Sequence, residues 1–223
     1  YCNVEKELNN TELNLSKGSI PKDLSGTFYR NGPGRLERGG RWVHHPFDGD
    51  GMIAAFKFRN GNVSLTNRFI RTKEWEEEEK AQKFLYRGVF GTQKEGGVLA
   101  NALDVRLKNI ANTHVVRLGK ELLALWEASS PYAVNPNTLE TIGISNLKGV
   151  LKKNEAFSAH PHFDPGHHEE PRMVTFGVTT GPKSTIRLME FSTEGEKAGS
   201  LLSDRKDSFN GFAFLHDFAI TPN

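Results

Sequence analysis

The chain has 223 residues, with 29 Lys plus Arg against 27 Asp plus Glu and a formal net charge of +2. That balance leaves no electrostatic footprint for nucleic acid. The one cysteine, Cys2, cannot close an intrachain disulfide, which favours a reducing compartment. No stretch approaches the roughly 18 consecutive apolar residues of a membrane helix, the longest apolar run being Leu122-Leu123-Ala124-Leu125-Trp126.

The length suits one domain with a sizeable core. The N-terminus, Tyr1-Cys2-Asn3-Val4-Glu5, has no initiator Met, basic region or apolar h-region, and it reads as a cut end, not a targeting signal. Gly32-Pro33-Gly34 is not a dinucleotide fingerprint, because Glu37 occupies the third glycine position. His44-His45 reads as turn chemistry. Asp48-Gly49-Asp50-Gly51 resembles the start of a calcium loop, yet Met52 stands where an EF-hand needs an acidic residue or Asn.

Short strands and tight turns dominate the chain from Met52 onward. Met52–Phe58 leads through Asn60-Gly61 into Val63–Ile70, and Asn-Gly between apolar runs is a strong hairpin signal. Glu74–Lys83 predicts a solvated helical connector, with Glu76/Lys80 and Glu79/Lys83 spaced for i,i+4 pairing. Val115–Leu118, Gly119-Lys120 and Leu122–Trp126 predict a second hairpin, and Asn135-Pro136-Asn137 a turn. Met173–Val178 and Thr185–Phe191, joined through Gly181-Pro182, predict a third. Serial hairpins with little helix indicate an all-β sandwich, barrel or propeller, and no strict repeat selects among them.

Among the histidines, His167-His168-Glu169-Glu170 lacks the second His of a zincin helix and reads as loop surface. The informative segments are Ala159-His160-Pro161-His162-Phe163-Asp164 and His216-Asp217-Phe218. Neutral imidazole suits iron, copper and zinc. One arrangement takes His162, Asp164 and His216 as a two-His-one-carboxylate iron triad; another takes His160 and His216 with further histidines. Residue types alone leave both open. A cupin reading of His160-x-His162 fails for want of a following Glu.

Gly26-Thr27-Phe28-Tyr29-Arg30-Asn31-Gly32-Pro33 and Phe47-Asp48-Gly49-Asp50-Gly51-Met52 resemble signatures of the carotenoid cleavage dioxygenase family. So do Asn112-Thr113, Leu125-Trp126-Glu127, Pro131-Tyr132, Asn135–Thr141, Ala159-His160-Pro161 and His216-Asp217-Phe218, in the family's order. The similarity runs from about Pro21 to Thr221.

The resemblance implies a seven-bladed β-propeller holding Fe(2+) on four histidines, of which this chain carries the N-terminal portion. At roughly 40 to 50 residues per blade, the chain would supply half to two-thirds of the ring. By motif, His160 and His216 would be two of the ligands, with two more expected beyond residue 223. Glu127 would be an outer-shell carboxylate orienting a ligand imidazole. Thr113 would border the open coordination position, and Phe47 would line a substrate channel unless it is ordinary core. The implied reaction cleaves a C=C bond of an apolar polyene with O2 to two carbonyls. Stilbene-cleaving relatives carry Lys immediately before the outer-shell Glu; Trp126 stands there instead, which favours a carotenoid or apocarotenoid. The resemblance also implies a peripheral membrane contact, while the compartment stays open between soluble and peripheral membrane settings, cytoplasmic or plastid. Alternatives are the facial-triad oxygenase, a stilbene-cleaving member of the same family, and a metal-free propeller that only binds.

Overall fold

The computed structural model of the chain describes residues 2–97, 101, 107–165 and 170–221. The chain folds as two units, Tyr1–Val115 with Asn135–Thr141, and Val116–Val134 with Ile142–Asn223. In the first, β1 (Thr11–Glu12), β2 (Gly26–Arg35), β5 (Asp50–Arg59) and β6 (Asn62–Phe69) form an antiparallel sheet in the order β1-β6-β5-β2. β3 (Glu37–Arg38) and β4 (Arg41–Trp42) pair as a separate short ribbon. The β5–β6 turn is the expected one: Asn60 and Gly61 both take positive φ, 51° and 79°, which a two-residue hairpin turn requires. β2 is absent from the sequence reading because Gly32-Pro33-Gly34 argues against a strand. It exists as an edge strand, where a residue lacking an N–H is tolerated, and the register shifts between Pro33 and Arg35.

Several family-like motifs turn out to hold this unit together. Asn31 Nδ2 donates to the carbonyls of Ala111 and His114 at 2.7 and 2.9 Å. Asn112 Nδ2 donates to those of Phe47 and Gly49 at 3.0 and 2.7 Å. A Cβ on Gly51 would lie 2.3 Å from the Ala111 oxygen, so only glycine permits that approach. Asp48 accepts from the Phe90 and Thr92 N–H groups and the Thr92 hydroxyl, at 2.9, 3.1 and 2.8 Å. His45 caps the 3-10 turn Pro46–Asp48 by accepting from the Phe47 N–H at 3.1 Å.

Helix α1 (Lys73–Ala81) is capped by Thr72, whose hydroxyl accepts from the Trp75 N–H at 3.0 Å. Its expected role as a solvated connector needs correction. Glu78 is fully buried, 2.6 Å from Lys108 Nζ and 3.5 Å from Arg38 Nε. Both cations also reach Asp50, at 2.5 and 2.8 Å. Glu79 lies against Arg38 and, at 3.4 Å, Arg35 in place of the expected Lys83. Two buried cations demand opposing charge, which Glu78 of α1 and Asp50 of β5 supply.

Two further four-stranded sheets complete the strand inventory. β7 (His114–Leu118), β8 (Glu121–Leu125), β9 (Tyr132–Val134) and β10 (Thr141–Ile144) run in the order β10-β9-β8-β7. β11 (His162–Asp164), β12 (Arg172–Thr179), β13 (Lys183–Ser192) and β14 (Leu201–Asn210) lie in sequence order. Met173 faces Phe191 and Thr175 faces Met189 across the β12–β13 pair. Met173, Met189 and Phe191, with Leu123, Leu125 and Phe157, build the core of the second unit. β14 escapes the sequence reading because Leu201-Leu202-Ser203-Asp204-Arg205-Lys206-Asp207 is mostly polar and exposed, with no alternation to signal a strand.

The architecture is all-β, as expected, in the strand organisation of propeller blades. Among the described residues there are three four-stranded sheets, fewer than the blade estimate from length. Residues 70–113 account for the difference: their described part contributes α1 and connecting segments, and no strand of these sheets.

Candidate metal centre

The site forms within the second unit from three chain segments. Glu127 follows β8, whose Leu122, Leu123, Ala124 and Leu125 are all buried. A strand packed on both faces is a rigid support for the residue leaving its end. Trp126, between strand and Glu127, is 6% exposed.

His160 precedes β11 on a segment laid against β12. Ser158 N–H donates to the Phe176 carbonyl at 2.6 Å, and the His160 N–H donates to Ser158 Oγ at 3.1 Å. Gly177 makes that contact possible, since a Cβ there would stand 2.1 Å from the Ala156 oxygen.

His216 lies on residues 212–221, which run outside any strand beyond β14. Side chains tie this segment back to β11 and β12. His162 Nε2 is 2.9 Å from Asp217 Oδ1, and the Phe218 ring meets His162 and Phe176 edge-on at 4.8 and 5.5 Å. The His162 hydrogen bond, with the Phe218 N–H, holds the Asp217 carboxyl below the usual carboxylate range.

The result is a convergence of three side chains. Ligand-type atoms of Glu127, His160 and His216 lie within 4.8 Å of one another, the one such group among the described residues. His216 Nδ1 is 2.6 Å from Glu127 Oε1, and His160 Nε2 is 3.8 Å from the same oxygen. The two imidazole rings meet edge-on at 4.5 Å.

The donor set fits a metal bound through imidazole. Two ligands of one ion, each about 2.1 Å from it, stand roughly 3 Å apart at a right angle. The 2.6 Å contact is shorter, so Glu127 is better placed behind His216 than beside it on an ion. Glu127 Oε1 is buried without an aligned hydrogen-bond donor, which leaves it open to the charge of a metal-loaded imidazole. With Nδ1 of His216 facing Glu127, Nε2 would be the nitrogen left for a metal.

The facial-triad alternative is not assembled, because neither His162 nor Asp164 joins His216 in a cluster. His162 faces Asp217, and Asp164 lies 3.8 Å from Arg172 Nε. Thr113 and Phe47 belong to the first unit. The Thr113 hydroxyl is 3.3 Å from Asn112 Oδ1. Phe47 is no core residue: it is 59% exposed and packs edge-on against His45 and Phe90 at 4.6 and 5.4 Å. His167, His168 and Glu169 lie outside the described residues. Asp217 and Phe218 were not read from the sequence as site residues, though their adjacency to His216 was the available signal.

The chain is similar to known proteins over most or all of its length. The retinal pigment epithelial membrane protein family matches residues 1–223. An apocarotenoid-15,15'-oxygenase of Synechocystis sp. is 49% identical over 93% of this chain and 42% of its own length. Resveratrol cleavage oxygenase 1 of Aspergillus fumigatus is 34% identical over 100% of this chain and 42% of its own length. A crystal structure of cobalt-substituted Synechocystis apocarotenoid oxygenase superposes with a TM-score of 0.93 at 47% identity, covering 100% of this chain and 46% of that one. The chain therefore spans under half the length of the relatives it matches, and its sheets are those of their β-propeller. It belongs to the retinal pigment epithelial membrane protein family, the family of the carotenoid cleavage oxygenases.

Proposed function

We propose that the protein is a non-haem iron(II) dioxygenase that cleaves a C=C bond of an apocarotenoid or carotenoid into two carbonyl products. The convergence of His160, His216 and Glu127 carries this reading. Iron(II) supplies dioxygen binding and activation when bound. His160 and His216 would hold it as neutral imidazoles, with further histidine ligands from the rest of the protein. Glu127, whose Oε1 stands 2.6 Å from His216 Nδ1, would orient that ring and select its tautomer once metal is bound.

The Trp126-Glu127 pair supports the polyene over a phenolic stilbene. A Lys before the glutamate could meet a phenol oxygen with its ammonium; an indole offers one N–H donor and no charge. Competition between an apocarotenal and resveratrol in the complete protein tests the assignment. We expect higher kcat/KM on the apocarotenal, with two carbonyl fragments whose new oxygens derive from O2. Faster resveratrol cleavage would overturn the substrate class.

A further inference from the structure

We propose that His162 and Asp217 are positioning residues, a clamp that sets the register of the His216 segment against β11 and so fixes the spacing of the two imidazoles. The inference rests on the reading of His160 and His216 as metal ligands.

His160 lies two positions before His162, the first residue of β11, and His216 and Asp217 are adjacent on residues 212–221. Two cross-links join the segments side by side: the His160 and His216 rings at 4.5 Å, and His162 Nε2 to Asp217 Oδ1 at 2.9 Å. Because a carboxylate only accepts, the proton on that bond belongs to His162 Nε2. The same Oδ1 also accepts from the Phe218 N–H at 2.8 Å, which fixes the backbone just past His216. Phe218 then closes over the His162 ring and onto Phe176 of β12.

Residues 212–221 belong to no strand, so no sheet ladder sets their register. A slip of one residue would carry His216 away from His160 and turn its ring off Glu127. His162, which the facial-triad reading would make a ligand, thus acts through Asp217 and not on the metal itself.

Cobalt(II) titration of the metal-stripped complete protein tests the clamp, read as affinity and as the visible d–d spectrum. His162→Ala and Asp217→Ala should each weaken cobalt binding roughly 10 to 100-fold and change the band pattern, with the melting transition retained. The double variant should be no worse than either single one, because both remove the same bond. Asp217→Asn keeps an acceptor oxygen, and His162→Gln keeps a donor of similar reach; both should recover near-parental affinity. Parental affinity in His162→Ala, or losses that add in the double variant, would overturn the clamp. His160→Ala is the control: if it keeps cobalt, the metal-site reading fails, and the clamp with it. If only His160→Ala loses cobalt, the clamp alone fails.

Discussion

His216 and Glu127 meet at 2.6 Å, Nδ1 to Oε1, though they come from segments far apart in the chain. The carboxylate is partly buried at the end of a strand packed on both faces, so it can hold one ring orientation. Glu127→Gln keeps the shape and removes the charge. We expect an intact fold with metal affinity or turnover lowered roughly 10 to 100-fold. Metal content after dialysis, compared with the parent, measures this; parental retention would make the carboxylate merely structural.

The assembled cluster separates the two ligand sets. His160→Ala and His216→Ala should each abolish metal retention in the complete protein, whereas Asp164→Ala, whose carboxylate faces Arg172, should leave metal bound. Elemental analysis of the three purified variants reads the result. An empty Asp164→Ala protein beside a loaded His160→Ala protein would reverse the assignment.

Gly177 is a space requirement, not a conformational one. Alanine there would press its methyl against the Ala156 carbonyl, a backbone atom that must move. Gly177→Ala should cost about 1–3 kcal/mol as overpacking and should also reduce metal affinity, because the displaced segment carries His160. Chemical denaturation and cobalt titration on the same preparation check both; a stability loss with unchanged affinity would uncouple the segment from the site.

Around α1, Arg38, Asp50, Glu78 and Lys108 are all at most 5% exposed. Removing one member strands the others in a medium that solvates charge poorly. Lys108→Met should destabilise the fold by roughly 3–5 kcal/mol, far beyond the effect of Lys73→Met, whose partner Glu77 lies at the surface. Equal denaturation midpoints for the two variants would refute a buried network.

Arg187 joins β13 to β14 through a two-pronged contact with Asp204, at 2.9 and 2.8 Å, and reaches Glu155 at 2.8 Å. Burial pushes Glu155 up, but the Lys152 N–H and the Arg187 guanidinium outweigh it and hold the carboxyl below its usual range. The Arg187 hydrogen bond lowers Asp204 likewise. Depressed carboxylates contribute stability above their unfolded pKa and lose it as pH falls through the folded value. Arg187→Ala should therefore cost roughly 1.5–3 kcal/mol at neutral pH, a gap that closes below about pH 4. Unfolding curves at pH 7 and pH 3 measure it, and a gap independent of pH would point to packing alone.

Local chemistry made much of this protein legible from its sequence. The Asn60-Gly61 turn needs two positive φ values, and the apolar runs of β12 and β13, joined through Gly181-Pro182, signal a hairpin. The ordered motifs around His160 and His216 marked the family. Tertiary structure decided what depends on distant partners. β2 gives no strand signal in the sequence, and only its edge position accommodates Pro33. α1 reads as solvent-facing until Arg38 and Lys108 arrive to bury Glu78. His162 looked as fit a ligand as His160, because residue type and spacing do not say which way a ring is held. Only the arrival of Asp217 beside His162, and of Glu127 beside His216, separates their surroundings, since a ring's orientation belongs to whatever its nitrogens meet.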